Sequence, residues 1–351
     1  MSWTPDRRLF LASAAAAGLA ACGENKAAPA PAQPGWRQGA DAPFASQEVY
    51  PTLWNGGAVL AGGMAKPIGA AELSQVSSAA FYDPNADKWT PLADLPAQRH
   101  HLNLLVHKDM LLCAGGFEAQ SRERFWAPKA DMWFRDTLDG PWKPFRPMPA
   151  LLGETVAVSY DGRLHFASGR KPVASGGGFR DLHDTDKHFY WDGKYWEDAA
   201  PVPTARNSAA GAAIDGKLYV VGGRVWPFSK TNNDPQVTGN LNVVERYDVE
   251  SDSWETLRPL PKPMGGHGAA ALGGKLYVFG GEEFDGEAHA LSDAFVYDPA
   301  TDVWEAIDPM PRPRHGFNAV AFEERGEIAL IGGAQKPGGE ETLTAVDILK
   351  V

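Results

Sequence analysis

Gly273-Gly274-Lys275-Leu276-Tyr277-Val278-Phe279-Gly280-Gly281 is the stretch from which the fold is read. A two-glycine turn, free to take the positive φ that a tight hairpin needs, leads into a short aliphatic and aromatic run that a diglycine ends. The run reads as a strand, and the turn joins it to the apolar run before it. Asp215-Gly216-Lys217-Leu218-Tyr219-Val220-Val221-Gly222-Gly223 repeats the arrangement. The same turn stands eight residues ahead of a marker glycine at Asn55-Gly56, Lys108-Asp109, Asp161-Gly162 and Arg325-Gly326.

Counted on the second glycine of each pair, or its equivalent, the markers are Gly63, Gly116, Gly169, Gly223, Gly281 and Gly333, with spacings of 53, 53, 54, 58 and 52. Tryptophan supplies an independent count. Trp36, Trp89, Trp142, Trp196 and Trp254 each precede the next marker by 27 residues, and Trp304 by 29. Between marker and tryptophan stand Tyr82-Asp83-Pro84, Tyr247-Asp248 or Tyr297-Asp298-Pro299, a strand end running into a turn. Each unit therefore holds four antiparallel strands, and a period near 50 residues repeated six times is the mark of a six-bladed, all-β propeller. The sixth unit ends at Thr344–Val351 with a third strand and no tryptophan strand. The N-terminal strand at Trp36 is expected to complete it and close the ring.

The diglycine after the second strand, with Tyr and Trp spaced along the third and fourth, resembles the Kelch repeat, over Trp36 to Val351. Departures are few: Ser168 replaces a glycine in blade 3, and Phe134-Arg135 stands where blade 2 should carry Tyr-Asp. Insertions follow Gly116, Gly169 and Gly223.

Composition agrees with many short strands and turns: 38 Gly, 28 Pro and 12 Trp in 351 residues. A formal charge of −11 with no basic run argues against nucleic acid as a partner. Two cysteines, Cys22 and Cys113, cannot form a disulfide framework. Arg7-Arg8-Leu9-Phe10-Leu11 resembles a twin-arginine export signal, and the following alanine-rich run ends in Leu19-Ala20-Ala21-Cys22, which resembles a lipobox. Residues 1–22 are thus read as a signal segment lipidated at Cys22, 23–35 as an Ala/Pro-rich tether and 36–351 as the propeller. The expected address is the periplasmic side of a bacterial envelope, with membrane contact through the lipid alone and the protein a monomer.

The loop after strand four and the loop after strand two open on one face around the channel mouth, where ligands are expected. Three residues after a recurring proline come Ser46, Arg99, Leu152, Arg206, Met264 and Arg314, so arginine occupies alternate blades. Next come Gln47, His100, Gly153, Asn207, Gly265 and His315, with His267 nearby. Arg170, Arg224 and Glu282 follow marker glycines. The guanidiniums and imidazoles Arg99, Arg206, Arg314, Arg170, Arg224, His267 and His315, with Asn207, are candidates to bind a carboxylate or sulfate; the alternative is that they bond neighbouring loops. Glu282, Glu154 and His100 are the candidate acids and bases. Phe125-Trp126 and Trp226-Pro227-Phe228 are either a stacking wall for a sugar ring or cover for their own loops.

A copper-radical oxidase needs a Tyr linked to a Cys beside its metal, and Cys113 falls inside a strand. Asp184 and His188 match part of the iron site of Kelch nitrile-specifier proteins, but Arg180 stands where the third ligand belongs. No cofactor or metal is expected. Two readings remain: a non-catalytic module recognising a small acidic sugar, a glycan or an envelope protein, and a sugar mutarotase, by resemblance to periplasmic N-acetylneuraminate epimerases, which are Kelch propellers too. Since fold does not imply function, the first is preferred.

Overall fold

In this computed structural model, residues 35–351 are described except 67–68, 71, 122–123, 174–177, 226–238, 285–286 and 338–339. Cys22, most of the tether and Trp226-Pro227-Phe228 lie outside the described residues.

Six four-stranded antiparallel sheets form the blades, as the repeat predicts. Blade 4 is typical: Ala210–Ile214, Lys217–Val221, Val244–Asp248 and Ser253–Thr256, paired in chain order. In blade 6 the order is Asn318–Phe322, Glu327–Ile331, Val346–Lys350 and then Trp36–Gly39, with Trp36 opposite Leu349 and Gly39 opposite Val346. The N-terminal strand thus closes the ring. Blade 2 carries one addition, Val49–Tyr50, which runs parallel to Leu102–His107 and stitches the entry of blade 1 to its neighbour.

The core lies between blades. Ala58, Leu60, Ala80 and Tyr82 of blade 1, with Val49 of the added strand, pack with Val320, Ala329, Ile331, Val346 and Ile348 of blade 6. Burying one such aliphatic side chain contributes roughly 1.5–3 kcal/mol. Cys113 is buried in one of these layers, and burial pushes its thiol up to about 12, so it is an inert packing group.

The tryptophan period has a hydrogen-bonding cause. Trp89 Nε1 donates to the Ala40 carbonyl (2.9 Å), while Asp87, two residues before it, accepts the Ala40 N–H (2.7 Å) and the Tyr82 hydroxyl (2.6 Å). One residue just past the preceding strand four is held through both its N–H and its C=O. Trp254, Asp252 and Tyr247 hold Ala200 in the same way, and Trp304, Asp302 and Tyr297 hold Arg258. Each clamped residue lies four after a marker tryptophan. In blade 2, Arg135 instead donates to the Thr137, Leu138 and Gly140 carbonyls of its own turn and stacks under Trp142.

The marker glycines also join blades. The Gly63 N–H donates to the Arg99 carbonyl (2.6 Å), and the same bond runs from Gly116 to Leu152, Gly169 to Arg206, Gly223 to Met264, Gly281 to Arg314 and Gly333 to Ser46. All six glycines have positive φ, between 79° and 107°, and a Cβ on Gly63 would come within 2.1 Å of Ser46 Oγ. Only glycine fits there.

Candidate functional site

After each marker glycine a short hairpin rises toward one face: Met64–Ala65 with Ser74–Gln75 in blade 1, Arg170–Pro172 with Leu182–Asp184 in blade 3, Glu282–Glu283 with His289–Ala290 in blade 5. The first hairpin residue bridges the loop from the preceding blade, as Gln47↔Met64, His100↔Phe117, Gly153↔Arg170, Asn207↔Arg224, Gly265↔Glu282 and His315↔Ala334. The next loop residue is Glu48, His101, Glu154, Ser208, Gly266 or Gly316, and all six are left-handed, with φ from 50° to 67°. Their peptides hydrogen-bond in sequence around the axis, from His101 N–H to Glu48 O, Glu48 to Gly316, Gly316 to Gly266 and Gly266 to Ser208, at 2.6 to 2.9 Å. For glutamate and histidine this conformation costs of order 1 kcal/mol or more each.

The side chains of this circle and of the hairpins form a second ring, of alternating charge. Arg224 Nη2 lies 2.8 Å from Glu282 Oε1; Glu282 Oε2 lies 3.4 Å from His315 Nδ1; His315 Nδ1 lies 3.6 Å from Glu48 Oε1. Glu48 Oε2 is 2.9 Å from His101 Nε2, which is 3.4 Å from Glu154 Oε1. Glu154 Oε2 is 3.7 Å from Arg170 Nη1, and Arg170 Nε is 4.0 Å from Asp184 Oδ1. Asn207 closes the circuit, donating to Asp184 Oδ1 (2.7 Å) and to the Arg224 carbonyl (3.2 Å). Glu48 is the most exposed member at 14% of its side chain; the other charged members are at 8% or below.

The geometry assigns the protons. His100 and His101 meet through their Nδ1 atoms at 2.7 Å, so one must donate and the other accept. Burial pulls the His101 imidazole down, but Glu48 outweighs it and holds the ring protonated above its ordinary value. Burial and the His101 charge hold His100 well below its ordinary value, so it is neutral, accepts at Nδ1 and donates from Nε2 to the Phe125 carbonyl (3.1 Å). Burial opposes a charge on His315, yet Glu282 and Glu48 raise it to about 9. Burial alone would raise the Glu48 carboxyl; His101 and His315 hold it well below the ordinary carboxylate range. Glycine in blades 5 and 6 makes room: a Cβ on Gly316 would lie 2.8 Å from Glu48 Oε1, and one on Gly266 3.2 Å from Arg224 Nη2.

Of the sequence candidates, Arg170, Arg224, Glu154, Glu282, His315 and Asn207 therefore meet in one ring at the channel mouth. Arg99, Arg206 and Arg314 do not join them, which corrects the expectation of three guanidiniums around the mouth. Each turns into its own blade. Arg206 pairs with Glu245 and donates to the Gly222 and Val243 carbonyls, at 0% exposure. Arg314 pairs with Asp347 and donates to the Leu330 and Gly332 carbonyls, also at 0%. Arg99 pairs with Asp131 and Glu118 and lies over the Trp133 ring.

The alternation between blades has a packing cause. At the third-strand position facing Ser46, Arg99, Leu152, Arg206, Met264 and Arg314 stand Ala80, Trp133, Phe189, Glu245, Phe295 and Asp347. Leu152 shares an apolar cluster with Phe189, and Met264 with Phe295. Blades 3 and 5 thus fill with two apolar groups the space that blades 4 and 6 fill with a buried ion pair.

His267 is buried and lines the hub channel, and burial and the Arg224 charge lower it to about 3. Asp184 belongs to the ring, whereas His188 faces His165 (3.1 Å) and the Ala200 carbonyl, so the two share no site. Among the described residues no group of three or more His, Cys, Asp or Glu is placed to hold a metal ion. Sequence reasoning missed Glu48 and His101. The signal was present: both occupy the fifth position after the recurring proline, one beyond the positions read.

Two cavities adjoin the ring. A channel of about 330 Å³ runs through the hub, lined by the first strands of all six blades, with small residues such as Ala210, Gly211, Ala270 and Ala319 on one side. A recess of about 680 Å³ opens on the hairpin face between blades 1 and 2, lined by Lys66, Glu72, Leu73, Gln120, Phe125 and Trp126 among others. Trp126 packs on His100 and His101, with ring centres 4.9 and 5.2 Å apart.

Residues 147–333 match the family described as the KLHDC2/KLHL20/DRC7 Kelch-repeats domain. The chain is 42% identical over 86 residues to Kelch-like protein 33 of Homo sapiens, covering 24% of this chain and 14% of that one. It is 27% identical over 222 residues to Kelch-like protein terF of Aspergillus terreus, covering 60% and 46%. To Beta-scruin of Limulus polyphemus it is 25% identical over 206 residues, covering 57% and 21%. In each case the match spans less than half of the relative's length.

Proposed function

The chain belongs to the Kelch-repeat family, and from that premise we propose that it is a non-catalytic recognition module that takes a glycan or an envelope protein on the hairpin face of its propeller. The observation that carries this is the closed charge ring: each carboxylate and imidazolium of the ring already has an opposite charge within 4.0 Å. Opposite charges this close give each of these groups a structural role in tying the loops together, which favours recognition over proton transfer as the use of this face. The recess on that face is lined by aromatic and amide side chains, Phe125, Trp126 and Gln120 among them, a lining suited to the apolar face and hydroxyls of a sugar ring. An acidic sugar would find Lys66 there, shared with Glu340. Export through the twin-arginine segment and lipidation at Cys22 are part of the same proposal and would hold the face out from the membrane on its tether.

Binding of acidic and neutral glycans, screened on an array and measured by calorimetry, tests the reading. Wild type should bind a subset, and Trp126→Ala should bind at least about tenfold more weakly, about 1.4 kcal/mol for a lost stacking contact. NMR of anomer exchange on the same sugars is the counter-test. Acceleration above the spontaneous rate, lost in Glu282→Gln, would replace recognition by mutarotase activity.

A further inference from the structure

The charge ring crosses the seam where the two ends of the chain meet. Glu48 lies in the loop that leaves the N-terminal strand of blade 6 for blade 1, and its carboxylate sits between His315 of blade 6 and His101 of blade 2. Its backbone N–H donates across the seam to Gly316 O at 2.6 Å, and its carbonyl accepts from His101 N–H at 2.7 Å. Glu48 and His101 are also left-handed at φ 53° and 52°, where blades 5 and 6 use glycine. Residues held in such conformations persist when the surrounding structure over-determines them, and they gather at switches and binding sites. The two cations that hold Glu48 are both imidazoliums, which, unlike the arginines of the ring, can lose their charge.

We propose that Glu48, His101 and His315 form a proton-operated clasp that ties the loops at the channel mouth together across the ring-closing seam and releases them when the two histidines lose their protons. His101 faces Glu48, Glu154, His100 and Arg170, with the Tyr50 ring 6.4 Å away; His315 faces Glu48 and Glu282 and donates from Nε2 to the Lys336 carbonyl at 2.9 Å. Deprotonated, the pair leaves Glu48 with no cation in contact. Glu282 keeps Arg224 and Glu154 keeps Arg170, so blades 3 to 5 stay tied. The opening is therefore confined to the loops at Glu48, His101 and Gly316.

Titration of the histidine ring signals by NMR, with amide exchange of the whole protein at pH 7 and pH 10, tests the clasp. His315 should titrate near 9, and protection of the Glu48, His101 and Gly316 amides should fall at least about tenfold while that of Lys217–Val221 holds, since local openings fall below the global limit. In Glu48→Gln the His315 midpoint should move down and the three amides should already be weakly protected at pH 7. His315→Gln should give the same local loss if Glu48→Gln does not fold. A His315 midpoint near 6.5, unchanged protection between the two pH values, or equal loss in every blade would each overturn the proposal.

Discussion

Glu48, His101 and Glu154 share one backbone conformation with Ser208, Gly266 and Gly316, and this is where the six repeats stop being equivalent. Three blades accept strain to place charge at the axis and two leave room for it. Gly316→Ala should therefore destabilise by about 1–3 kcal/mol in urea denaturation, because a side chain at φ 65° is strained and its Cβ would press on Glu48. The histidines give stability a pH dependence of known sign. His101 and His315 bind protons more tightly folded than unfolded, so their contribution is complete below about 6.5 and is lost at higher pH, that of His315 as pH rises through about 9. The urea midpoint should fall between pH 6.5 and 9.5, and less steeply in His315→Gln; an equal slope in both proteins would contradict the assignment. At this scale the sequence was partly legible. Glu154 and Glu282 stood out as acids beside the marker positions, but a buried ion pair and an exposed binding arginine read alike until the facing strand is known. Arg206 declares its role only when Glu245 is seen opposite it, 39 residues on.

Strands and turns were the most legible level, because their signals are local: the turn pairs, the diglycines and the apolar runs each act within a few residues. The tryptophan period was legible as a count, and its cause emerges from a clamp between blades, with the indole N–H on the C=O and the aspartate oxygen on the N–H of one residue. Asp252 takes both the Ala200 N–H and the Tyr247 hydroxyl. Its replacement by Ala should lower stability by about 1 kcal/mol, a modest figure because the carboxylate is exposed, and amide exchange should quicken at Ala200 ahead of the strand cores. Exchange unchanged at Ala200 would mean that the tryptophan alone carries the clamp. Phe134-Arg135, a departure from the repeat, is repaired by three carbonyls of its own turn, a solution no spacing rule contains.

The whole molecule is held by closure, in the outer ladder of blade 6 and in the charge ring at the hub. Removing Trp36–Gly39 would leave Val346–Lys350 as an open edge and uncover Leu349, which packs with Trp36, so the truncated chain should aggregate during refolding, measured by light scattering. The fold and its closure were legible because repetition supplies six readings of one signal. The site was less so, because what differs between blades is carried by side chains that meet across the axis from distant positions. Blades 4 and 6 place an arginine where blades 3 and 5 place an apolar residue because a buried ion pair and an apolar pair fill the same space. The unfolding free energies of wild type and two variants check this. Glu245→Ala should lose about 3–5 kcal/mol by stranding a buried guanidinium, whereas the double variant Arg206→Met/Glu245→Phe, which copies Met264 and Phe295 of blade 5, should lie within about 1.5 kcal/mol of wild type. A double variant as damaged as the single one, or a single variant as stable as wild type, would contradict it.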